Sequence, residues 1–488
     1  MNYARVWRTV RRLRATQVWY QVWYRLHRPG LREWRGVVRE AAGPRVEPCA
    51  KPRGRFGREF EFLNIRDTPT GWNDTRHGML WAYNLNYMDW LSEQAEVEAF
   101  VDDLAGNRVG LDPYPIALRT INWAKLGGLS PRALRSLRAQ VDLLERKLEK
   151  HLLGNHLLED LYALYIAGAF FGDDALLRRA EKALKRQLRE QVLPDGAHYE
   201  QSPMYHSIML DRLLDCINFR PDAELEATAA RMLGHLEAIL WEDGTIPLLN
   251  DSARGIAPEP AEIFAYAKRL GLEWTPIAPG ACGYRKMAEG EMEAIVDIGN
   301  ITATYQPGHT HADTFNYELR LSGRPFVVDT GISTYDKTPR RQYERSTAAH
   351  NTATPLDGGD SSEVWGGFRV GRRARVTVHE DRPGLIRASH DGFRGLRHER
   401  TFAMSPEGFR ITDRIGAPGV SRIHLAPGVE VLAASPTEVR TSAGTVAISG
   451  ATRVDIVPAR VSTTYNRFED SQTVEIHFDG ETEYIIKQ

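Results

Sequence analysis

Cysteine is almost missing from this sequence: three residues in 488, Cys49, Cys216 and Cys282, with no CxxC pair. That excludes a disulfide framework and a thiolate zinc site. A metal here would need histidine and carboxylate ligands. Net charge is nearly absent as well, at -1, so nothing global draws the chain to nucleic acid, and an anionic ligand must be held by local groups. No apolar run approaches the roughly 20 residues of a membrane span. The start lacks the apolar core and small-residue cleavage site of a signal peptide, which leads to the expectation of a cytoplasmic protein. No repeat signature of the standard solenoid families is present.

What is there is an ordinary globular composition, 42% hydrophobic and 26% charged, in a chain too long for one core. Residues 1–50 form a basic, aromatic arm in which Arg5, Arg8, Arg11, Arg12 and Arg14 precede Trp19, Tyr20, Trp23 and Tyr24. Its plainer reading is a helix whose aromatic stripe packs on the main body while the arginines stay wet. Its functional reading is peripheral contact with a membrane surface or polyanion.

From about residue 90 to 270 the apolar period is helical. Leu134, Leu137, Val141, Leu144 and Leu148 recur at three- and four-residue steps, giving one apolar stripe. Further segments follow, separated by short breaks such as "FFGDD", "LPDG" and "WEDG". Short links make neighbouring helices antiparallel, and a series of such hairpins must close or stack to bury its faces. Near residue 290 the period becomes two: "EAIVDIG", "TATYQ", "FNYELRL", "PFVVDTG" and later runs read as short strands, the pattern of an antiparallel β-sandwich. The expected architecture is α+β and multidomain: the arm (1–50), an (α/α) toroid or incomplete barrel of helical hairpins (51–285), and a β-sandwich (286–488).

Polar residues concentrate at a few places. In "GHTHADTFNYEL" His309, His311 and Asp313 alternate, so an extended chain would aim them one way. Two histidines and a carboxylate suit zinc best, but the spacing is not diagnostic. A tight turn at "SGRP" would set Asp329 opposite Glu318 rather than His311. "GNHLLED" holds Asn155, His156 and Glu159, the last two on one helix face. "DGAHYEQSPMYHSIML" holds His198, Tyr199, Glu200, Tyr205 and His206 at a loop-to-helix junction. Trp81, Asn84, Tyr87, Tyr114, Arg119 and Trp123 would suit a sugar chain if exposed, or a helical core if buried.

Taken in order, "NHLLEDLYALYIAGAFF", "DGAHYEQSPMYHSIMLDRLL", "IPLLNDSARGIA", "GHTHADTFNYELRLSGRPFVVDTGISTY" and "RSTAAHNTATPLDGGDSSEVW" resemble the heparinase II/III-like polysaccharide lyases over residues 80–430. The resemblance implies a toroid followed by a β-sandwich, in agreement with the two periods. It also implies β-elimination at a 4-linked uronic acid in an acidic polysaccharide. Tyr205 then serves as acid, or as acid and base, and His309 as the base or its assistant. Asn155 and His156 are the accompanying pair, with Asn155 the donor to the uronate carboxylate. Glu159 steadies the cluster and Tyr335 is a second tyrosine. Arg119 and Arg345 are carboxylate or sulfate contacts. His311, Asp329 and His350 hold one structural zinc ion, and Asp313 is a hydrogen-bonder. No leader is recognisable, and the basic, tryptophan-rich start resembles that of relatives that accompany bacterial surface-polysaccharide synthesis, which leads to the expectation of a cell's own uronate-containing exopolysaccharide. Two alternatives stay open: a glycoside hydrolase recruiting Glu159, Glu200 or Asp251, and a non-catalytic polysaccharide-binding or assembly protein.

Overall fold

A computed structural model describes residues 3–50, 54–356 and 358–488. The first two residues of the arm, and the first three of the expected 51–285 segment, lie outside the described residues. The arm is two helices, α1 (Tyr3–Val10) and α2 (Ala15–Leu26), followed by extended chain and a small three-stranded sheet over residues 55–67. The helical ring comprises α3 (Met79–Tyr87), α4 (Gln94–Asp103), α5 (Pro113–Leu126), α6 (Pro131–Arg146), α7 (Gly154–Phe171), α8 (Asp174–Gln191), α9 (Pro203–Phe219), α10 (Ala223–Ile239) and α11 (Pro260–Arg269).

The ring turns about α7, in which every residue except His156 is buried. That explains why α7 reads as apolar all round, while α6 and α8, on the outside, carry one apolar stripe each. Helix starts follow local chemistry. Ser130, Asp173, Ser202 and Asp222 accept backbone N–H groups of the first turn of α6, α8, α9 and α10, satisfying donors that the helix cannot. Proline follows at the first position of α6 and α9, where its missing N–H costs nothing.

The change of period near residue 290 is the change of domain. A four-stranded antiparallel sheet (Tyr284–Glu289, Met292–Asp297, Tyr317–Leu321, Arg324–Val327) packs on a nine-stranded one. The larger sheet is built on three long strands, Gly408–His424, Thr445–Val461 and Glu469–Lys487. Ala294, Val296 and Leu319 of the small sheet meet Phe402, Phe409, Ile411 and Ile476 of the large one in a continuous core. Helix α12 (Pro339–Glu344) lies in the long connection between the sheets.

The strand bounds and the arm correct two expectations, and the turn at "SGRP" meets a third. "TATYQ" is irregular chain, and the strand after "GHTHAD" starts only at Tyr317: the His309 and His311 backbone bonds to the Asn250–Asp251 loop and Ala312 to Arg345, and the chain meets the sheet only from Phe315, through Asp297. The two-residue turn at Ser322–Gly323 is present, and Asp329 N–H does point at Glu318 Oε1 (3.3 Å). A register shift at Leu319/Arg320 precedes it. The arm's aromatic stripe does not pack inward as a whole: Tyr20 and Tyr24 are partly buried, whereas Trp19 and Trp23 are exposed.

Candidate active site

The ring and the sandwich meet at Asp251, at the end of the loop after α10. Its Oδ2 accepts from His309 Nδ1 (2.9 Å) and its Oδ1 from His311 Nε2 (2.7 Å). Arg341 of α12 binds both oxygens, at 2.5 and 2.7 Å. All four side chains are at most 6% exposed. Burial alone would raise the Asp251 pKa, but the Arg341 charge and the two histidine bonds outweigh it and hold the carboxyl well below the ordinary carboxylate range. Its neighbours are fixed too. His311 N–H donates to Asn250 Oδ1 (2.9 Å), and Asp251 N–H to the His309 carbonyl (3.2 Å). Thus "NDS" and "GHTH" are laced together across the domain boundary.

With Nδ1 turned to Asp251, the other ring nitrogen of His309, Nε2, points away from that carboxylate. That atom lies 3.2 Å from Asn155 Nδ2, at the N-terminus of α7. Leu153 and Gly154 both adopt left-handed backbone (φ 62° and 60°) to start this helix. A Cβ at Gly154 would stand 2.5 Å from Glu200 Oε1, so glycine is required there. Glu200 then takes Asn155 N–H and Nδ2–H, at 3.1 and 2.9 Å. An anion at a helix N-terminus is favourable, and here it also orients the amide.

Tyr205 enters from the first turn of α9. Ser202 caps that turn through Tyr205 N–H (3.1 Å) and donates its own proton to the Asp251 carbonyl (2.7 Å), which ties the tyrosine's position to the Asp251 loop. The Tyr205 ring stacks on His309 with centroids 3.8 Å apart. Its oxygen accepts from Tyr335 Oη–H at 3.2 Å. Burial pushes the Tyr205 pKa above the ordinary phenol range, against the opposing pull of Tyr335 and Arg341; the phenol is a proton holder at neutral pH. Phe368 closes the far side, edge-on to His309 and Tyr335.

Tyr205, His309, Asn155 and Tyr335 are therefore brought together, from both domains. Other expected residues are not. Arg119 is fully buried, its guanidinium spent on Gln140 and the Asn86 and Gly110 carbonyls. Arg345 is 1% exposed and ties the Gly367 and Thr310 carbonyls. Burial lowers both to about 9. Neither can reach a polysaccharide, and both correct the expected substrate contacts. Glu159 is fully buried at 3.5 Å from Arg212, a member of the α7–α9 packing. His156 turns outward to Glu149 Oε2 (3.0 Å) and the edge of Tyr114. Burial would lower its pKa, but Glu149 prevails and raises it. Trp81, Tyr87 and Trp123 are core; only Asn84 and Tyr114 of that aromatic set keep some exposure.

The expected zinc residues lie directly behind. Asp329 Oδ2 accepts from His350 Nδ1 (2.7 Å) and Asn316 Nδ2 (2.6 Å). His311 Nδ1, His350 Nε2 and Asp313 Oδ2 are buried with no hydrogen-bond partner. Orphaned buried imidazole nitrogens are unusual and fit a metal by type. Burial brings His311 down to about 4, hence neutral and ligand-competent. The three expected donors are not gathered, however. Among the described residues, the trios with donor atoms within 4.8 Å of one another are Asp195–His235–Cys282 and Asp455–Glu475–His477. Metal binding would exchange the His350–Asp329 hydrogen bond for bonds to the ion and draw His311 in.

Asp251, Glu200 and Arg341 organise this site, and local sequence pattern assigned none of them that role. Asp251 and Glu200 were expected only as carboxylates for hydrolysis. Both are consumed by internal bonds, and Asp251 is held ionised, the opposite of what a general acid needs.

The sequence profile for heparinase II/III N-termini matches residues 133–253, and that for heparinase II/III-like C-terminal domains matches residues 276–487. A heparin-sulfate lyase of Pedobacter heparinus is 24% identical over 329 residues, covering 58% of this chain and 48% of its own. One of Bacteroides stercoris is 22% identical over 242 residues, covering 41% and 35%. The chain thus spans at most about half the length of these curated relatives. A crystal structure of a heparinase III superposes with a TM-score of 0.64 at 14% identity, covering 87% of this chain and 80% of that one. The heparan sulfate lyase HepC of Pedobacter heparinus gives 0.55 at 16%, covering 86% and 78%. At these identities the structural likeness establishes a shared fold.

Proposed function

The chain belongs to the heparinase II/III-like family, and from that premise we propose that it is a polysaccharide lyase cleaving a uronate-containing acidic polysaccharide by β-elimination. One observation carries the reading: the second ring nitrogen of a histidine, 3.2 Å from a carboxamide donor, in a ring stacked 3.8 Å from a protonated phenol. On a uronate, the carboxylate and the acidic C5 hydrogen are on adjacent carbons, so donor and base must lie side by side.

The Asn155 N–H meets the carboxylate and stabilises the charge that develops on it. His309 Nε2 takes the C5 proton while Asp251 holds the resulting imidazolium in place. The C4–O bond breaks, the electron pair forms C4=C5, and Tyr205 gives its proton to the leaving oxygen. Tyr205 and His309 then return to their resting states through solvent, and no water is added across the bond. The two arginines expected to read carboxylate or sulfate are turned inward. Recognition in this reading rests on Asn155 and suits a uronate exopolysaccharide better than a polymer read by its sulfates.

One zinc ion held by His311, Asp329 and His350 belongs to the same reading. It would fix the segment that carries His309, by replacing with metal bonds the hydrogen bonds now made behind it. Elemental analysis of the purified protein tests this: zinc near one equivalent, lost in His350→Ala together with thermal stability, is expected. A metal-free, equally stable wild type refutes it.

The activity is tested by incubating the protein with a panel of acidic polysaccharides. New ultraviolet absorbance from a conjugated C4=C5 bond is the expected result, abolished in Tyr205→Phe. Reducing ends without that absorbance would establish hydrolysis instead.

A further inference from the structure

We propose that the outer face of α1 and α2 is a docking surface for an anionic lipid bilayer. Residues 3–32 contain eight arginines and no acidic residue. Two faces of α2 separate cleanly. The inner one is anchored: Gln17 donates to the Leu152 carbonyl (3.2 Å) and Gln306 Oε1 (2.7 Å), Tyr24 to the Leu148 carbonyl (2.6 Å), and Lys150 to Tyr20 (3.2 Å). The opposite face carries Val18, Trp19, Val22, Trp23 and Leu26, at one-helix-side spacing. All five are exposed, Trp19 at 61% and Leu26 at 75%. Helix α1 continues the pattern with Tyr3, Trp7 and Val10. Eight of the sixteen exposed large hydrophobic residues of the described chain thus fall within residues 3–26.

A solvated face does not gather indoles and aliphatics in this way. Three occupants are conceivable, and charge selects among them. A second copy of the same face would oppose arginine to arginine. An acidic polysaccharide would satisfy the guanidiniums but offers nothing into which Val18, Val22 and Leu26 could sink. An anionic bilayer supplies both: acyl boundary for the apolar side chains, interfacial depth for the tryptophans, and phosphates for the arginines. Part of the arginine set is committed inward, Arg8 to Glu363 (2.6 Å) and Arg14 to Glu190 (2.7 Å). Arg11, Arg25, Arg28 and Arg32 are exposed beside the stripe. The arm is held to the body three residues before Asn155 and three before His309, through Leu152 and Gln306, so a docked arm brings the candidate site toward the membrane surface. No helix among the described residues is long and apolar enough to cross a membrane; the mode is interfacial.

The experiment is co-sedimentation of the full chain with phosphatidylcholine vesicles, with and without phosphatidylglycerol, read also by tryptophan fluorescence. Binding to the anionic vesicles with a blue shift, weakened by salt, is expected. Trp19→Ser combined with Leu26→Ser should reduce binding at least tenfold without changing the circular dichroism or the thermal midpoint. Arg25→Gln combined with Arg28→Gln should reduce it and flatten its salt dependence. Equal binding by the serine variant, equal binding to neutral vesicles, or no binding at all overturns the proposal. So does a wild-type dimer that the serine variant converts to monomer, or capture of an acidic polysaccharide by this face with no binding to vesicles.

Discussion

Among the described residues, two buried arginine–aspartate–histidine centres differ in how their histidines are closed off. In the sandwich core Arg400 grips both oxygens of Asp413, each at 2.7 Å, and His398 Nε2 meets Oδ1 at 2.7 Å. At the domain boundary Arg341 grips Asp251, and His309 and His311 meet its two oxygens. Both aspartates are held below the ordinary carboxylate range against their burial, by the arginine charge and the histidine bonds. The difference is the second nitrogen of the imidazole. His398 Nδ1 is closed off by His390 Nε2 (3.0 Å), and His390 in turn accepts Gly392 N–H. His309 Nε2 faces the side-chain amide of Asn155, 3.2 Å away, and the Glu200 carboxylate bonded to that amide, 3.9 Å away. In the proposed reading, the arrangement is a rivet where every donor is matched inside the domain, and a base where the last partner is displaced by substrate.

Exchanging alanine for the two histidines should separate these roles most strongly. His309→Ala is expected to lower kcat/KM by roughly a hundred- to ten-thousand-fold, the usual worth of a general base, while the thermal midpoint moves little. His398→Ala should do the reverse, lowering the midpoint while the turnover of folded enzyme persists. Equal activity losses in the two variants would erase the distinction.

Removing the arginines comes next. Arg400→Met leaves Asp413 in the core with one histidine and the Ser421 hydroxyl but no arginine, and should cost about 3–5 kcal/mol by chemical denaturation. Arg341→Met leaves Asp251 two histidine partners, so a smaller stability loss is expected, together with a clear loss of kcat. Identical stability losses would mean that the boundary centre is as purely structural as the core one.

Neither centre was visible in sequence as a centre. The two domains were, because hydrophobic period is local: α9 occupies the Pro203–Phe219 segment that its pattern delimits. Tyr205 and His309 were found through ordered motifs, and their meeting depends on contacts that no period encodes. Asp251 reaches His309 over 58 residues and Arg341 over 90. Arg119 and Arg345 were misread for a related reason. A charged residue beside aromatics looks the same in sequence whether it faces a groove or caps buried carbonyls, and only the closing of the ring decides. The arm failed oppositely: its aromatics alternate between two faces of one helix, and composition cannot say which face the body takes.

Sealed histidines elsewhere give a weaker, acid-side effect. Burial brings His198 and His235 down to about 4, below the unfolded value of about 6.5. Between those limits the unfolded chain takes up a proton that the folded chain refuses, so stability is complete above about pH 6.5 and falls as pH drops toward 4. Each group contributes a slope of about 1.4 kcal/mol per pH unit. Denaturation midpoints that stay flat from pH 7 to 5 would contradict this.

The smallest expected effect tests the open centre most finely. Tyr335 donates to the Tyr205 oxygen at 3.2 Å, and that bond pulls the Tyr205 pKa down against burial. In the proposed reaction the bond leaves the Tyr205 proton free to point elsewhere beforehand, and stabilises the phenolate once that proton is given up. Tyr335→Phe removes a single neutral hydrogen bond, typically worth about 0.5–1.5 kcal/mol, so kcat should fall about three- to tenfold with KM nearly unchanged. A rise in KM with constant kcat would make Tyr335 a sugar contact. No change at all would mean that Tyr205 does not give up its proton in the rate-determining step.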